Sequence, residues 1–233
     1  MTLSIIIPTY NEEENIGKLV RYLLQHHDNL IKDIIVSDGG SEDNTIAEAV
    51  AAGATAVISD SRGRAAQMNY GSSLAKGDVF YYVHADTLPP VDFCTDINLA
   101  IQKGYALGRY RTKFDSDKTI LKLNAWFTRF DLFMCMGGDQ TLFVTKDLFT
   151  RCGGFNVDMR IMEEYDFCER ARQKARYIIL NGSTLISARK YDTNTWLRVQ
   201  WANATILHLF KKGASQDYLV HRYKQLLSYR KSF

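Results

Sequence analysis

Three apolar runs in the N-terminal part of the chain each stop abruptly at polar residues. That repeated stop constrains the fold more than any other feature. Ile5-Ile6-Ile7 runs into Pro8-Thr9-Tyr10-Asn11-Glu12, and Ile34-Ile35-Val36 into Ser37-Asp38-Gly39-Gly40-Ser41. Val79-Phe80-Tyr81-Tyr82-Val83 runs into His84-Ala85-Asp86-Thr87. Short runs of β-branched and aromatic residues read as buried strands. In an open α/β sheet, ligands bind at the carboxyl ends of the strands. The three ends are expected to converge on one pocket with carboxylates at Asp38 and Asp86. That arrangement suits a nucleotide held with a divalent cation.

Helical patterns fill the gaps between these runs. Thr9-x-x-Glu12 has the form of a capping box, and Ile16, Leu19, Val20, Leu23 and Leu24 follow at the spacing of one helix face. A second helix after Ser41 turns Ile46, Ala49 and Val50 inward, 54–59 reads as a strand, and 65–75 as a helix. This alternation predicts right-handed crossovers and a mostly parallel sheet. Beyond Thr87 the alternation weakens. Pro89-Pro90 opens a helix near 91–103, and 105–114 reads as a strand. An aromatic helix over 120–133 carries Trp126, Phe127, Phe130 and Phe133. Then come a loop through Gly137-Gly138-Asp139-Gln140, a strand at 141–144 and a turn at Gly153-Gly154-Phe155. A charged helix at 163–174, a short strand at 177–180 and two helices divided near Gly213 complete the chain. No repeat or linker interrupts it, so one α/β domain over 1–233 is expected.

Composition narrows the class. With 46% hydrophobic residues the chain of 233 residues has ample material for one core. Its 29 basic against 26 acidic residues leave a net charge of +3. The excess sits toward the end, at Lys211, Lys212, Arg222, Lys224, Arg230 and Lys231, without the clustered face that nucleic acid demands. Cys94, Cys135, Cys152 and Cys168 form no C-x-x-C pair, which argues against structural zinc and for free buried thiols in a reducing compartment. The start of the chain lacks a basic and then apolar leader, and no apolar stretch approaches the ~20 residues that span a bilayer. A cytoplasmic protein is expected. Trp196, Val199, Ile206, Leu207 and Phe210, with Arg198, Lys211 and Lys212 nearby, suit either a packing helix or one lying on the inner membrane face.

In order and spacing, these pieces resemble the inverting glycosyltransferases of family two, which have the GT-A fold. The matching segments are Ile5 through Glu12, Ser37 through Ser41, Arg62-Gly63-Arg64 with Asn69 and Gly71, Gly77-Asp78, His84-Ala85-Asp86, Gly153-Gly154-Phe155 and Glu163-Glu164-Tyr165-Asp166. Within that family the chain is most similar to a bacterial subgroup with Arg-Gly-Arg, His-Ala-Asp and Gly-Asp-Gln motifs. The resemblance implies an α/β fold of GT-A type: a Rossmann-like, mostly parallel central sheet flanked by helices, with a C-terminal helical extension. Residues about 1–100 would bind the nucleotide sugar, about 101–190 the acceptor, and about 191–233 would be helical. It implies sugar transfer from a nucleotide-diphosphate sugar to an acceptor hydroxyl, assisted by Mg²⁺ or Mn²⁺. A sugar and a lipid-linked acceptor both remain open, as does oligomeric state. The chain departs from the family pattern twice. His84 stands where the metal motif Asp-x-Asp has its first acid. Glu163-Glu164 replaces the usual Glu-Asp, lengthening the reach of the base by a methylene while keeping a carboxylate of similar unperturbed pKa, ~4.

The resemblance assigns Pro8, Tyr10, Glu12, Asp38, Arg62, Arg64, Asn69, Asp86, Arg189 and Lys190 to the nucleotide sugar. A carboxylate at Asp38 can accept from a base N–H or ribose hydroxyls, or equally cap the next helix. Asp86 would hold the cation, with His84 as second ligand or as a donor to the nucleotide. Residues two apart on a strand share a face, so His84 and Asp86 point the same way if the strand persists. Arg62 and Arg64 flank a helix start, which favours phosphate. Glu164 is the expected general base, with Asp166 as the alternative and Glu163 beside them. Acids are also ordinary at a helix start. Asp139, Gln140 and Trp126 are expected to bind the acceptor, although aromatics at helical spacing also suit a core. Arg189 and Lys190 would fold over the diphosphate. Two other classes fit less well: a regulatory protein that binds nucleotide sugar without catalysis, and a sugar-phosphate nucleotidyltransferase. The latter carries a Gly-rich basic stretch after its first strand, where this chain has Pro8-Thr9-Tyr10-Asn11.

Overall fold

The computed structural model describes residues 1–26, 29–132, 135–136 and 140–228. Its strands are β1 (Leu3–Thr9), β2 (Ile31–Asp38), β3 (Thr55–Ile58), β4 (Val79–Tyr82), β5 (Thr87–Leu88), β6 (Leu107–Phe114), β7 (Leu142–Thr145) and β8 (Tyr177–Ile186). They form one sheet in the order β3-β2-β1-β4-β7-β6-β8-β5. β1 pairs in parallel with β2 and β4, β2 with β3, and β6 with β8. β7 runs antiparallel to β4 and β6, as β5 does to β8. The parallel half therefore carries the three polar strand ends side by side at one edge.

The helices are α1 (Glu13–Gln25), α2 (Thr45–Ala51), α3 (Arg64–Leu74), α4 (Phe93–Gln102), α5 (Thr119–Phe127), α6 (Lys146–Arg151), α7 (Glu163–Arg172), α8 (Lys190–Thr193), α9 (Trp196–Lys211) and α10 (Gln216–Leu226). Side chains alternate across a strand, so the central strands feed two cores. Ile5, Ile7 and Tyr81 pack with Ile16, Leu19, Val20, Leu23, Phe93 and Ile97 from α1 and α4. Ile6, Phe80 and Tyr82 pack on the other face with Met68, Leu148 and Phe167 from α3, α6 and α7. Continuous apolar runs are the signature of strands covered on both faces. The C-terminal pair α9 and α10 buries Val199, Ala202, Ile206 and Leu219 and leaves Leu197 and Trp201 exposed. No helix among the described residues is long and apolar enough to cross a membrane.

Several local expectations are corrected. β4 ends at Tyr82, and the chain then turns, with the Thr87 N–H donating to the His84 carbonyl at 3.0 Å. The expected capping box does not form. Glu12 is the N-cap residue of α1 but makes no side-chain cap bond, because its carboxylate binds Asn15 and Arg189 instead. β8 does not end at 180 as expected but runs on through Asn181-Gly182, with a register shift opposite Tyr110 and Arg111. α5 stops at Phe127, before the expected end at 133, which lies outside the described residues. Val50 is exposed on α2. α6 and α8 were not anticipated, being only 6 and 4 residues long. The four cysteines are free, with Cys94 and Cys168 buried and Cys135 and Cys152 partly so.

One clamp ties α3 to the turn that follows α6. The Asn69 amide on α3 donates to the Phe155 carbonyl at 2.8 Å and accepts from the Phe155 N–H at 2.9 Å. Gly154 makes the approach possible. Its φ is +72°, and a Cβ there would lie 2.7 Å from Asn69 Oδ1. Gly154→Ala is expected to destabilise the protein by about 1–3 kcal/mol in urea denaturation, from backbone strain and the loss of this clamp.

Candidate functional site

The strand tips are held by buried polar groups. Asp38, fully buried, accepts at Oδ1 from the N–H groups of Gly40 (2.8 Å) and Ser41 (2.7 Å). Its Oδ2 accepts from the hydroxyls of Thr9 (3.1 Å) and Ser41 (2.5 Å). The carboxylate thus shapes its own loop and ties it to β1. Gln67 of α3 donates to the carbonyls of Thr9 (2.6 Å) and Ser37 (3.0 Å), closing β1 against β2. Asn11, in the left-handed region at φ 53°, donates its N–H to Ser41 Oγ and accepts from the Glu42 N–H. Asparagine tolerates that conformation better than most residues.

At the end of β4, His84 and Asp86 face different partners. Arg189 holds Asp86 Oδ2 at 2.9 Å and grips both oxygens of Glu12, at 2.7 and 3.2 Å. His84 Nε2 lies 3.1 Å from Glu164 Oε1. Beside it, Arg64 at the start of α3 meets Glu163 Oε1 at 2.5 Å. Glu12, Asp86, His84, Arg64, Glu163, Glu164 and Arg189 therefore form two sets of polar contacts joined through the β4 turn.

α7 begins with its acids, where the helix dipole favours negative charge, and ends with Arg170 and Arg172. Met162, just before it, sits at φ 70°. Such a conformation is uncommon for a bulky residue. Glu163 and Glu164 are both buried. Burial pushes the Glu164 carboxyl up from its ordinary value of 4.5, against the downward pull of Arg64 and His84. A cavity of about 20 Å³, room for one water molecule, adjoins Glu164 and is lined also by Arg109, Gln140 and Thr141. Arg109 is buried on β6 and donates to the carbonyls of Thr128 and Phe130, fixing the segment that follows α5.

Other expected site residues lie elsewhere. Asp166 is paired with Arg170 at 2.6 Å, and that guanidinium braces the carbonyls of Cys152 and Gly154. Asn69 is committed to Phe155, as described above. Pro8 is buried within β1, Tyr10 is exposed at its tip, Arg62 is exposed ahead of α3, and Lys190 opens α8. Gln140 is buried and donates to the Cys135 carbonyl. Asp139 lies outside the described residues. Trp126 is exposed, packed edge-on against Phe127 and Phe130 with Arg129 over its ring, so it does not belong to the core. Gln67 and Arg109 escaped the sequence reading. Neither belongs to a motif, and the one available signal was a polar residue on an otherwise inward face.

Known proteins share this architecture. The chain superposes on a mannosyltransferase from Pyrobaculum calidifontis, solved with GDP-Man and Mn²⁺, with a TM-score of 0.67 and 17% identity over 96% of this chain and 69% of that one. For TarS of S. aureus in complex with UDP-GlcNAc the TM-score is 0.65, with 15% identity over 97% and 71%. The fold is of the GT-A type. In sequence, residues 4–164 match the glycosyl transferase family 2 domain, and the chain belongs to that family. The glucosyl-3-phosphoglycerate synthase of Mycolicibacterium paratuberculosis is 32% identical over 99 residues, 38% of this chain. The matched stretch spans only 30% of that synthase.

The raised Glu164 has a consequence for stability. A carboxyl whose folded pKa exceeds its unfolded one binds protons more tightly in the native state. Its contribution is complete below the unfolded value and is lost as pH rises through the folded one. Glu164→Gln is therefore expected to melt higher than the parent at pH 8, with the gap closing as the pH falls toward 4.5. Calorimetric melting across that range measures it.

Proposed function

We propose that this chain transfers a sugar from a nucleotide-diphosphate donor to an acceptor hydroxyl, with inversion at the anomeric carbon. The observation that carries this reading is the buried Glu164 carboxylate, held at the start of α7 by His84 from the end of β4. In such a transfer the acceptor O–H bond breaks as the new glycosidic bond forms. Glu164 takes the proton, and the diphosphate leaves with the bonding electrons. Burial favours this role, since it brings the carboxyl nearer the working pH. The donors bound to the structural relatives, UDP-GlcNAc and GDP-Man, support a nucleotide-diphosphate sugar here.

In this reading the loops at Pro8 to Glu12 and Asp38 to Ser41 cradle the nucleotide, with Asp38 fixing the loop and Tyr10 on its rim. Arg62, Arg64, Arg189 and Lys190 supply positive charge for the diphosphate. Gln140 and Trp126 face the acceptor, and Asp166 steadies α7. A divalent cation fits one protein carboxylate, Asp86. Among the described residues no three His, Cys, Asp or Glu side chains gather to hold a metal. Hard cations are commonly bound by one or two carboxylates with substrate phosphates completing the shell. When bound, the cation supplies neutralisation of the departing diphosphate. With Asp86 on a cation, Arg189 would be the group to pair with the phosphate oxygens.

A melting panel of UDP, GDP and TDP with and without MnCl₂ tests the donor site. The cognate nucleotide is expected to stabilise the protein by about 2.7 kcal/mol at a hundredfold excess over its dissociation constant. No stabilisation by any of them refutes the reading. For the chemistry, Glu164→Gln is expected to lower turnover about 10²- to 10⁴-fold while nucleotide affinity is retained.

A further inference from the structure

We infer that His84 is a positioning residue for the Glu164 carboxylate and not a ligand of the cation. The inference rests on Glu164 being the base. Because β4 stops at Tyr82 and the chain turns, His84 and Asp86 lose the common face that a strand would give them. Asp86 faces Arg189, whereas His84 crosses to α7, 80 residues away in sequence. Its Nε2 lies 3.1 Å from Glu164 Oε1, and the two side chains are only 12% and 10% exposed. Acting as a base, Glu164 is ionised and only accepts, so in that state the Nε2–H is the donor. With Nε2 engaged by Glu164 and Asp86 engaged by Arg189, the two side chains are committed to separate partners and not to one shared cation.

The contact also joins the two places where the sequence departs from the family pattern. A glutamate at the base position has one more rotatable bond than an aspartate. Left alone, the Glu164 carboxylate would be drawn toward Arg64, which already pairs with its neighbour Glu163. The imidazole fixes Oε1 and leaves Oε2 to receive the acceptor proton. An aspartate at position 84 would instead set a second negative charge against Glu164. The acceptor proton moves to Oε2, and the bonding electrons leave with the diphosphate.

The test uses His84→Leu, which removes the donor, and His84→Gln, whose amide restores one. Mn²⁺ binding to each protein saturated with UDP is measured by titration calorimetry. Turnover is measured as UDP release from UDP-glucose. Mn²⁺ affinity is expected to stay within about twofold of the parent in both variants, while kcat falls about 30-fold or more in His84→Leu at unchanged KM. His84→Gln is expected to recover to within about fivefold of the parent. A tenfold loss of Mn²⁺ affinity in His84→Leu would make His84 a ligand and overturn the inference. Equal kcat losses in the two variants, or none in either, would overturn it as well. Glu164→Gln is assayed alongside. If it alone is inactive, only the role of His84 fails; if it keeps full turnover, the identity of the base fails.

Discussion

Two neighbouring carboxylates, both buried at one helix end, are the constraint around which the molecule is arranged. Side by side in a low-dielectric interior, Glu163 and Glu164 would repel each other and press α7 away from the sheet. A buried charge persists only with a partner of good geometry. Each acid finds one across a boundary in the fold. Glu163 meets Arg64 from α3, and Glu164 meets His84 from beyond β4. The helix dipole adds a smaller contribution of the same sign. The two halves of the chain are thereby joined at the cleft by polar contacts, in addition to the apolar core beneath them.

α3 is the element through which these constraints meet. Within two turns it presents Arg64 to α7, Gln67 to the tips of β1 and β2, and Asn69 to the Phe155 backbone. The helix is only weakly amphipathic for this reason. Positions that would ordinarily carry apolar side chains carry polar ones that satisfy backbone groups at the strand ends. Such groups are costly to leave unpaired in an interior. Here the cost is avoided with side-chain amides, and the backbone around the cleft is fixed before any ligand arrives.

Much of this architecture was legible in the amino-acid order. Continuous apolar runs identified β1, β2 and β4, and the spacing from Ile16 to Leu23 identified α1. The acids at Glu163 and Glu164 stood out for their place ahead of a charged helix. What escaped was set by partners distant in sequence. Glu12 matched a capping pattern, yet its carboxylate is taken by Arg189, 177 residues away. His84 and Asp86 looked like neighbours on one face until the backbone turned between them. The apolar pattern of the last strand stops at 180, but a bulge carries β8 on to Ile186. Trp126 and its aromatic neighbours had the periodicity of a buried face. Trp126, Phe127 and Phe130 are nevertheless exposed, while Leu121 and Thr128 are the residues of this segment that are buried.

The Arg189 guanidinium bridges the β1 tip and the β4 turn from a position just ahead of the terminal helices. A single group engaged with both loops cannot leave one unperturbed while it serves another anion. Negative charge that pairs with Arg189 must compete with Glu12 and Asp86 for that one guanidinium. The closeness of the β1 tip to the β4 turn and the binding of such a charge are therefore linked, with equal strength in both directions.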